Sequence, residues 1–457
     1  MSILIKNALA LLYKDDDFKL EYKNVIIEDN IISKITDPEA SESEGDQRGC
    51  SYESSFDKII DGRDKLLMPG LINAHTHAYM TLFRNYADDQ EFFDWLKNVQ
   101  TVEDGMTVSD EYYGTMLAAA EMFRTGTTCF VDMHIKNAEE GAKKGPETAA
   151  GGAVNDSGIR AYLSRGMVGE ASDDYNQLQF KQFLSEAELF KDNGRVNYLV
   201  GPHAPYSCMT SCLKKCRDCA KELNMPVTIH LSESEDEVRN MAAAHDGITP
   251  IKYVEKSGLF EAATIAAHCV NATDDDMEIF RRYNVSVAIN PKSNMKLGNG
   301  FAPVEKFLKK GLNVCLGTDG CGSNNTLNMF QEMNAAALIY KGKEKKAKCV
   351  DAKDVLKMAT VNGAKALGME GKLGIIQEGA LADLILLDLN ELQFIPHNNI
   401  ISGLVYSSNG SEVETVIVDG KVVMEDRKIL TMDLKDICCQ CEEIARRLGM
   451  QKERGIK

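Results

Sequence analysis

Two histidines, His75 and His77, are separated by one residue at the end of the apolar stretch "LINAHTH". In an extended strand, side chains at positions i and i+2 point to the same face, so both imidazoles can approach one point. Imidazole is a common ligand of transition metals, but an imidazole on a strand can also be satisfied by hydrogen bonds. The chain contains eight histidines, and the placement of the others decides between these two interpretations.

Eight apolar runs rich in β-branched residues alternate with stretches that have helical character. The runs are "LLMPGLINAHTH", "TTCFVDM", "IRAYLSRGMV", "VNYLVGPHA", "PVTIHLS", "ATIAAHCV", "VSVAIN" and "NVCLGTDG". One stretch between them, "TVSDEYYGTMLAAAEMFRTG", predicts a helix that begins with a capping box from Thr107 to Asp110 and ends near Gly126. Eight strands that alternate with helices predict an α/β fold, a (β/α)8 TIM barrel, whose chemistry lies at the carboxyl ends of its strands.

Further polar residues stand late in these runs, as the first pair does. His203 ends the fourth run, His230 the fifth, His268 the sixth and Asp319 the eighth. Any one of them alone is better explained as a satisfied core residue. Together they predict a metal site, because buried imidazoles and a carboxylate that meet in one barrel mouth need a shared partner.

The remaining histidines are less informative. His134 follows the second run in "DMHIK", and we expect it to line the barrel mouth. His245 in "MAAAHDGI" and His397 in "FIPHNN" do not stand at strand ends, so we interpret them as ordinary residues.

Two groups of cysteines lie close together in the sequence. They are Cys208, Cys212, Cys216 and Cys219, and Cys438, Cys439 and Cys441. The first spacing places its members on one face of a helix, which allows either a soft-metal or Fe–S cluster or packing as small hydrophobic residues. We favour packing for both groups, because ligand cysteines usually come from tight Cys-x-x-Cys turns.

Charge and segment composition exclude several classes of protein. Lys and Arg total 52 against 69 Asp and Glu, a net charge of -17, and no basic run could neutralise phosphates, which argues against a nucleic-acid partner. The stretch "MSILIKNALALLYKDDD" is interrupted by Lys6 and Asn7 and predicts a first β-strand instead of a signal peptide. No run approaches the roughly 18 apolar residues of a membrane span. With 13 cysteines and no export signal, we expect a cytoplasmic protein with reduced thiols.

The two ends of the chain differ from the middle in their pattern of apolar and polar residues. Short alternating strands occur in "FKLEYKNVIIEDNIISKIT" and in "VETVIVDGKVVMEDRKIL", where "DGK" predicts a hairpin turn. We expect residues 1–65 and 380–457 to form one small composite β-sandwich domain, and residues 66–379 to form the barrel. The polar stretch "PEASESEGDQRGCSYESS" predicts a mobile surface loop.

Longer motifs resemble those of the amidohydrolase superfamily. "PGLINAHTH", "TIHLSE", "AAHC" and "LGTDG" are similar to motifs of the branch that deaminates amino groups on heteroaromatic rings. More closely, "GPHAPYSC", "HLSESEDEV", "AAHCVN", "NPKSNMKLGNG" and "LGTDGCGSNNTLNMF" resemble the methylthioadenosine/S-adenosylhomocysteine deaminases. The resemblance covers nearly the whole chain, including the composite β domain.

This resemblance implies a set of metal ligands. In the family the metal is held by the HxH pair, a histidine on strand five and an aspartate on strand eight, which here are His75, His77, His230 and Asp319. Three imidazoles and a carboxylate suit Zn, with Fe as the alternative. Binuclear members keep a lysine near the end of the fourth strand, where this chain has His203. We therefore expect one divalent metal.

The resemblance also implies a reaction, the hydrolytic deamination of the 6-amino group of an adenosine derivative to the inosine analogue with release of ammonia. Glu233, three residues after His230, would shuttle the proton. The alternative for Glu233 is a solvated charge at a helix N-terminus in the acidic run "ESEDE". Asp319 would take a water proton while it ligates the metal, and His268 would orient and polarise the nucleophile.

Substrate contacts are implied in the same way. The matching residues are Trp95, Glu103, Arg165, His203 and Ser323. Trp95 would pack on the nucleoside, Glu103 would accept hydrogen bonds from the ribose hydroxyls, and His203 would hydrogen-bond the purine. The plain alternative for Trp95 is that it anchors a helix after "EFFD".

The segment after the third run departs from the family pattern. Members that use S-adenosylhomocysteine can present a second arginine there, but "GMVGEASDDYNQLQFKQFLSEAELFKDNG" contains none. A lone Arg165 would hold the amino-acid carboxylate weakly, because bidentate charged pairs are the strong ones. We expect methylthioadenosine, adenosine or 5'-deoxyadenosine to be at least as good a substrate as S-adenosylhomocysteine.

Two other functions remain compatible with these residues. One is a deaminase or hydrolase of another heteroaromatic ring, such as guanine, a pterin or a triazine, on the same barrel. The other is a non-catalytic scaffold, although such relatives typically lose the ligands that this chain retains. Because relatives often associate as dimers or tetramers, we expect a homo-oligomer.

Overall fold

The computed structural model describes residues 1–38, 54–134 and 150–450. The polar stretch for which we expect a surface loop lies almost entirely outside the described residues. The described strands are β1 (Ser2–Lys14), β2 (Asp17–Glu28), β3 (Ile31–Thr36), β4 (Lys58–Asp61), β5 (Lys65–Pro69), β6 (Leu71–Thr76), β7 (Thr127–His134), β8 (Arg160–Met167), β9 (Val196–Tyr198), β10 (Gly201–Pro202), β11 (Val227–Leu231), β12 (Thr264–His268), β13 (Ser286–Ile289), β14 (Val314–Leu316), β15 (Leu384–Asp388), β16 (Val413–Val418), β17 (Lys421–Glu425) and β18 (Lys428–Ile429).

Helices follow most of the strands in the middle of the chain. They are α1 (Phe92–Glu103), α2 (Val108–Arg124), α3 (Ala150–Ser157), α4 (Asp174–Leu189), α5 (Thr210–Leu223), α6 (Glu235–Ala244), α7 (Pro250–Ser257), α8 (Asp274–Tyr283), α9 (Pro291–Lys296), α10 (Val304–Lys309), α11 (Met329–Glu344), α12 (Ala352–Met358), α13 (Val361–Ala366), α14 (Ile400–Tyr406) and α15 (Leu434–Arg447), with short 3-10 helices at Ala78–Phe83, Leu259–Glu261 and Leu392–Phe394. Among the described residues, none of these helices has the length and apolar character to cross a membrane.

The strands of the middle form two parallel sheets that meet along two seams. Strands β6, β7, β8, β9 and β10 make one sheet, and β11 to β14 make the other. At one seam the backbone N–H of His230 donates to the carbonyl of His203 at 3.0 Å, and at the other the N–H of Asp319 donates to the carbonyl of His75 at 3.0 Å. Both seams therefore run through residues that the sequence assigns to the site.

The seam between β6 and β14 depends on a close backbone approach at Gly317. A Cβ atom on Gly317 would lie 2.8 Å from both the backbone N and O of His75, so a larger residue would push the strands apart. Beside it, the Asn73 amide donates to the Thr318 hydroxyl at 2.7 Å, and the Thr318 N–H donates back to the Asn73 side chain at 3.0 Å. These contacts fix the spacing of His75 and Asp319 across the seam.

Strands from both ends of the chain form one continuous nine-stranded sheet instead of two separately hydrogen-bonded sheets. Its order is β18-β17-β16-β15-β5-β1-β2-β3, with β4 paired to β1. The predicted "DGK" hairpin is confirmed, because Val418 pairs with Lys421 and the two residues between them, Asp419 and Gly420, have φ angles of 51° and 72°. The division of the chain at residues 65 and 380 stays a prediction.

The helix after the first barrel strand begins as predicted. The Thr107 hydroxyl accepts from the Asp110 N–H at 3.3 Å, and the Asp110 carboxylate accepts from the Thr107 N–H at 2.6 Å. This is the predicted capping box at the start of α2, which ends at Arg124. The expected helix bounds are therefore confirmed to within two residues.

The two cysteine groups differ in burial. Cys208, Cys212 and Cys216 lie fully inside the main apolar core, which confirms that they pack as small hydrophobic residues. In the second group, Cys441 is buried, but Cys438 and Cys439 are exposed on α15. The packing prediction is wrong for these two, because they lie on the solvent face of an amphipathic helix.

Helix α15 packs back on the barrel side of the molecule. Its Ile444 joins the apolar cluster that contains Trp95 of α1. The Arg447 guanidinium donates to the carbonyl of Gly105 at 3.2 Å and pairs with the Asp110 carboxylate. A helix that follows the β-rich end of the sequence thus braces the segment between α1 and α2.

A buried ion pair joins the barrel to the nine-stranded sheet. The Arg160 guanidinium at the start of β8 donates to both carboxylate oxygens of Asp383, at 2.7 and 3.0 Å, and to Asp419 at 3.1 Å. Arg160 and Asp383 are each 2% exposed. The carboxylate also accepts the backbone N–H of Asp419 at 2.8 Å, so the pair is well satisfied.

Removing one partner of this pair should destabilise the protein. We expect Asp383→Asn to lower the free energy of unfolding by about 3–5 kcal/mol, because the buried Arg160 guanidinium loses its bidentate counter-charge and keeps only the single ionic contact with Asp419. Urea unfolding followed by circular dichroism measures the loss. The control is Arg63→Ala, which removes an exposed pair with Asp61 and should change stability by less than about 0.5 kcal/mol. Equal effects of the two variants would contradict the expectation.

Candidate active site

Three imidazoles and one carboxylate converge at the carboxyl ends of three barrel strands. His75 and His77 come from β6 and the residue after it, His230 from β11, and Asp319 from the loop after β14. The Asp319 Oδ1 atom lies 3.5 Å from His75 Nε2 and 3.4 Å from His77 Nε2. Nε2 of His77 lies 3.1 Å from Nε2 of His230, and all four side chains are buried.

The ring orientations of His77 and His230 are set by backbone carbonyls. Nδ1 of His77 lies 2.5 Å from the carbonyl oxygen of Met133, and Nδ1 of His230 lies 2.7 Å from that of His203. A carbonyl only accepts, so each Nδ1 carries a proton and each Nε2 presents a lone pair. Two lone pairs 3.1 Å apart repel each other, and a cation between them removes this repulsion. The pair therefore fits a shared metal ion.

Asp319 and His75 fit the same ion. The Oδ2 atom of Asp319 accepts from the hydroxyls of Ser293 at 2.6 Å and Ser323 at 2.8 Å, which leaves Oδ1 directed toward the imidazoles. His75 is fully buried, and neither of its ring nitrogens has a hydrogen-bond partner among the described residues. A buried imidazole of this kind needs a partner, and three nitrogens with one oxygen are a donor set for Zn or Fe.

The protonation states of these groups suit ligation. Burial lowers the pKa of His75 and His230, so both imidazoles are neutral. Burial raises the pKa of Asp319, but the nearby His75 and His268 imidazoles outweigh it and hold this pKa well below the ordinary value. Metal ligands must be deprotonated, and the site meets that condition.

Glu233 lies beside this group, two residues after β11. One carboxylate oxygen accepts the Asn299 amide N–H at 3.0 Å, and the other lies 3.7 Å from Nε2 of His268. Glu233 is 4% exposed, which argues against the alternative of a solvated helix-end charge. Burial, together with the charge of Asp319, raises the pKa of Glu233 well above its ordinary value. A carboxyl group with a raised pKa holds a proton more readily than an exposed one, which suits a proton-transfer role.

The turn that carries Glu233 is held by a second buried carboxylate. Glu237 accepts the backbone N–H of Ser232 at 3.1 Å and that of Glu233 at 2.6 Å. Ser232 has a φ of 49°, a left-handed conformation that costs energy for a residue with a Cβ atom. Glu237 offsets that cost, and burial raises its own pKa to about 7.

His268 is oriented toward the same space. Its Nδ1 donates to the Asn294 side-chain oxygen at 2.8 Å, so in the neutral ring Nε2 presents a lone pair toward Glu233. Burial lowers the pKa of His268 to about 4, which keeps the ring neutral. His268 also has a positive φ, 70°, and such backbone strain is typical of residues that must aim a functional side chain.

A cavity of about 440 Å³ that opens to solvent lies over these residues. Its apolar wall consists of Met80, Phe92, Trp95, Leu96 and Val99. Among the other residues that line it are Glu103 and His203. The indole N–H of Trp95 donates to the Gly322 carbonyl at 3.0 Å. Trp95 therefore both anchors α1 and lines the cavity. Burial lowers the pKa of His203 to about 3, which keeps this imidazole neutral.

Two residues predicted to contact substrate do not line the cavity. Arg165 on β8 is 1% exposed and donates to the Glu186 carboxylate at 2.5 Å. Ser323 is fully buried behind Asp319, and its hydroxyl holds the Oδ2 atom of that carboxylate. Both substrate contacts stay predictions, because other side chains of this chain already engage Arg165 and Ser323.

His134 does not line the mouth either, so that expectation is wrong. It is 2% exposed at the end of β7, within 3.5 Å of Asp132, 3.7 Å of Glu111 and 4.0 Å of Glu186. These carboxylates raise the pKa of His134 although burial lowers it. The strand turns its ring away from the cavity and into this acidic surrounding.

Sequence reasoning assigns no role to four residues that hold the site together. They are Glu237, Ser293, Asn294 and Asn299. Three of them lie in "NPKSNMKLGNG", directly after β13, where polar residues at a strand end signal a site as clearly as the histidines do. Glu237 follows Ser234, the N-cap of α6, by three residues, which is the S-x-x-E spacing of a capping box.

The chain is similar to a known protein family and to named relatives. Residues 66–423 match the model of the Amidohydrolase family. Two relatives named 5-methylthioadenosine/S-adenosylhomocysteine deaminase are similar over 98% of this chain and 99% of their own length. They come from Thermoanaerobacter pseudethanolicus, at 42% identity, and from Caldanaerobacter subterraneus subsp. tengcongensis, at 44% identity.

A solved structure shares the fold. The adenosine deaminase from Xanthomonas campestris with bound zinc superposes with a TM-score of 0.88 at 28% identity, over 98% of this chain and 99% of that one. This similarity confirms the barrel with an attached β domain as the architecture.

The converging ligands predict metal content directly. We expect the purified protein to bind about one divalent metal ion per chain, and His230→Ala to reduce bound metal to below about one tenth, because it removes one of four ligands. Elemental analysis after dialysis measures both values. His245→Ala is the matched control, since His245 lies outside the site beside Tyr253. Full metal content in His230→Ala would contradict the ligand assignment.

Proposed function

The chain belongs to the amidohydrolase family, and on this premise we propose that it is a metal-dependent deaminase of adenosine derivatives. Water would replace the 6-amino group of the purine, which gives the inosine analogue and ammonia. The observation that carries the proposal is the convergence of His75, His77, His230 and Asp319 beside Glu233, a buried carboxyl group with a raised pKa. The predicted enzyme class, a hydrolase that acts on carbon–nitrogen bonds, agrees with the family and with relatives named as deaminases.

The four converging residues would hold one divalent metal, Zn with Fe as the alternative. When bound, it would lower the pKa of a water molecule to about 7 and so supply a nucleophile at neutral pH. His77 and His230 are ready to ligate through Nε2, because the carbonyls of Met133 and His203 bind their Nδ1 protons. Ser293 and Ser323 hold Asp319 so that Oδ1 faces the ion.

Glu233 would move the protons. Its carboxylate would accept a proton as the water oxygen bonds to the ring carbon, and would pass that proton to the adjacent ring nitrogen. The second proton of the water, taken up by Asp319, would go to the amino group, so that the carbon–nitrogen bond breaks, ammonia leaves and a ring carbonyl remains. The raised pKa of Glu233 supports this role, and Asn299 keeps one carboxylate oxygen in place throughout.

His268 would orient the nucleophile. Its Nε2 lone pair faces Glu233, and the bond from Nδ1 to Asn294 prevents the ring from turning. A neutral imidazole can accept a hydrogen bond from the attacking water and point the oxygen lone pair at the ring carbon.

The cavity supports a nucleoside substrate. Trp95 gives an aromatic surface for the purine or its 5' substituent, and Glu103 gives acceptors for ribose hydroxyls. His203 would hydrogen-bond a purine nitrogen. Arg165 is already paired with Glu186, which supports the expectation that an amino-acid carboxylate adds little to binding.

The finer predictions on location and assembly stay proposals. We propose a cytoplasmic homo-oligomer, a dimer or tetramer, without nucleic-acid or membrane partners. The net charge of -17 and the many buried cysteines support a reducing compartment and no phosphate-rich partner. The scaffold alternative is disfavoured because the four ligands, Glu233 and His268 are all present.

A screen for ammonia release tests the proposed function. We expect metal-loaded protein to deaminate methylthioadenosine, adenosine and 5'-deoxyadenosine with kcat/KM at least equal to that for S-adenosylhomocysteine, because Arg165 is engaged by Glu186. Guanine, a pterin and an aminotriazine belong in the same screen as controls for the rival functions. Preferred turnover of one of these rings would overturn the substrate class, and a strong preference for S-adenosylhomocysteine would overturn the ranking within it.

The proton-transfer role of Glu233 has its own test. We expect Glu233→Gln to lower kcat roughly 1,000-fold, since general acid–base groups contribute about 100- to 10,000-fold, while metal content stays at the wild-type value. Glu235→Gln is the matched control, because Glu235 is exposed two residues further along the same turn, and its kcat should stay within about twofold. Wild-type turnover in Glu233→Gln would refute the assignment.

A further inference from the structure

A tyrosine outside the cavity wall is bonded to Glu103. Tyr79 lies on the 3-10 helix Ala78–Phe83, directly after the HxH pair, and is 3% exposed. Its hydroxyl donates to the Oε1 atom of Glu103 at 2.5 Å. Glu103 is 1% exposed and lines the cavity, whereas Tyr79 does not line it. Tyr79 can therefore act on a bound molecule only through Glu103.

The position of Tyr79 is set by tight backbone packing. Helix α2 passes so close that a Cβ atom on Gly114 would lie 2.6 Å from the Tyr79 carbonyl oxygen. The Thr81 hydroxyl donates to the Gly114 carbonyl at 2.6 Å and ties the two segments together. The Tyr79 ring also packs edge-on against Phe83, with 6.2 Å between the ring centroids. The phenol is thus presented to Glu103 from a rigid support.

Glu103 itself lies at a helix end. It is the last residue of α1, where the helix gives way to the connection to α2. A glutamate side chain has three rotatable bonds, and ordering it costs conformational entropy when a ligand binds. A hydrogen bond made before binding reduces that cost and selects one carboxylate orientation.

We propose that Tyr79 is a specificity-positioning residue that holds Glu103 in the orientation needed to accept hydrogen bonds from a substrate with a vicinal diol. This inference rests on the proposed function, because it assigns the recognition of ribose hydroxyls to Glu103. Tyr79 touches neither the substrate nor the reacting atoms. The Tyr79 hydroxyl sets the direction of the Glu103 carboxylate. A substrate that lacks one of the two diol hydroxyls therefore gains no binding energy from Tyr79.

The test compares Tyr79→Phe with wild type on adenosine and 3'-deoxyadenosine. We expect kcat/KM for adenosine to fall roughly 10- to 150-fold, the cost of one hydrogen bond to a charged group, with most of the change in KM. The preference for adenosine over 3'-deoxyadenosine should shrink by about the same factor. In a Glu103→Gln background, the further effect of Tyr79→Phe should be below about twofold, since the two residues act as a unit.

Tyr112→Phe is the matched control. Its hydroxyl donates to the Asp156 carboxylate at 2.9 Å on the outer side of α2, away from the cavity, and its kinetics should equal those of wild type. Equal losses on adenosine and 3'-deoxyadenosine, or no loss on either, would overturn the role of Tyr79. If wild-type protein releases no ammonia from any nucleoside, the proposed function fails first, and the inference fails with it.

Discussion

The structure depends on one constraint. Two imidazole nitrogens, each with a lone pair, are held close together inside the protein. Nε2 of His77 and Nε2 of His230 lie 3.1 Å apart and belong to strands in different sheets. Neither ring can turn to relieve the repulsion, because the carbonyls of Met133 and His203 hold the opposite nitrogens. The barrel thus supplies the rigidity, and a bound cation would supply the attraction that makes the arrangement favourable.

Rigidity at the strand ends is obtained at some cost in backbone energy. Ser232, His268 and Asp319 lie at or just after the ends of three barrel strands and have positive φ angles of 49°, 70° and 60°. Side chains hold two of these turns: Glu237 accepts the Ser232 N–H, and the Thr76 hydroxyl donates to the Asp319 carbonyl. Strain that is offset locally in this way lets three strands aim side chains at one point without loosening the barrel.

The sequence predicted the features that depend on order along the chain. Alternating apolar runs indicate the strands, the polar residue at the end of each run indicates the site, and the motif resemblance to the amidohydrolase superfamily is confirmed by the family match over residues 66–423. Contacts between distant segments could not be predicted from the order of residues along the chain. The pairing of Arg165 with Glu186 and the rotation of His134 away from the cavity depend on which rotamer fits between packed helices. Tyr79 and Glu103 are 24 residues apart, and no motif in the sequence indicates that their side chains bond.

The packing of α15 against the segment between α1 and α2 depends on the order in which the protein is synthesised. The segment that carries Trp95 and Glu103 emerges from the ribosome early, but Arg447, which binds the carbonyl of Gly105, emerges more than 300 residues later. Until then this segment lacks the helix that packs against it. The nascent chain therefore contains all four candidate metal ligands well before the cavity wall that carries Trp95 is braced.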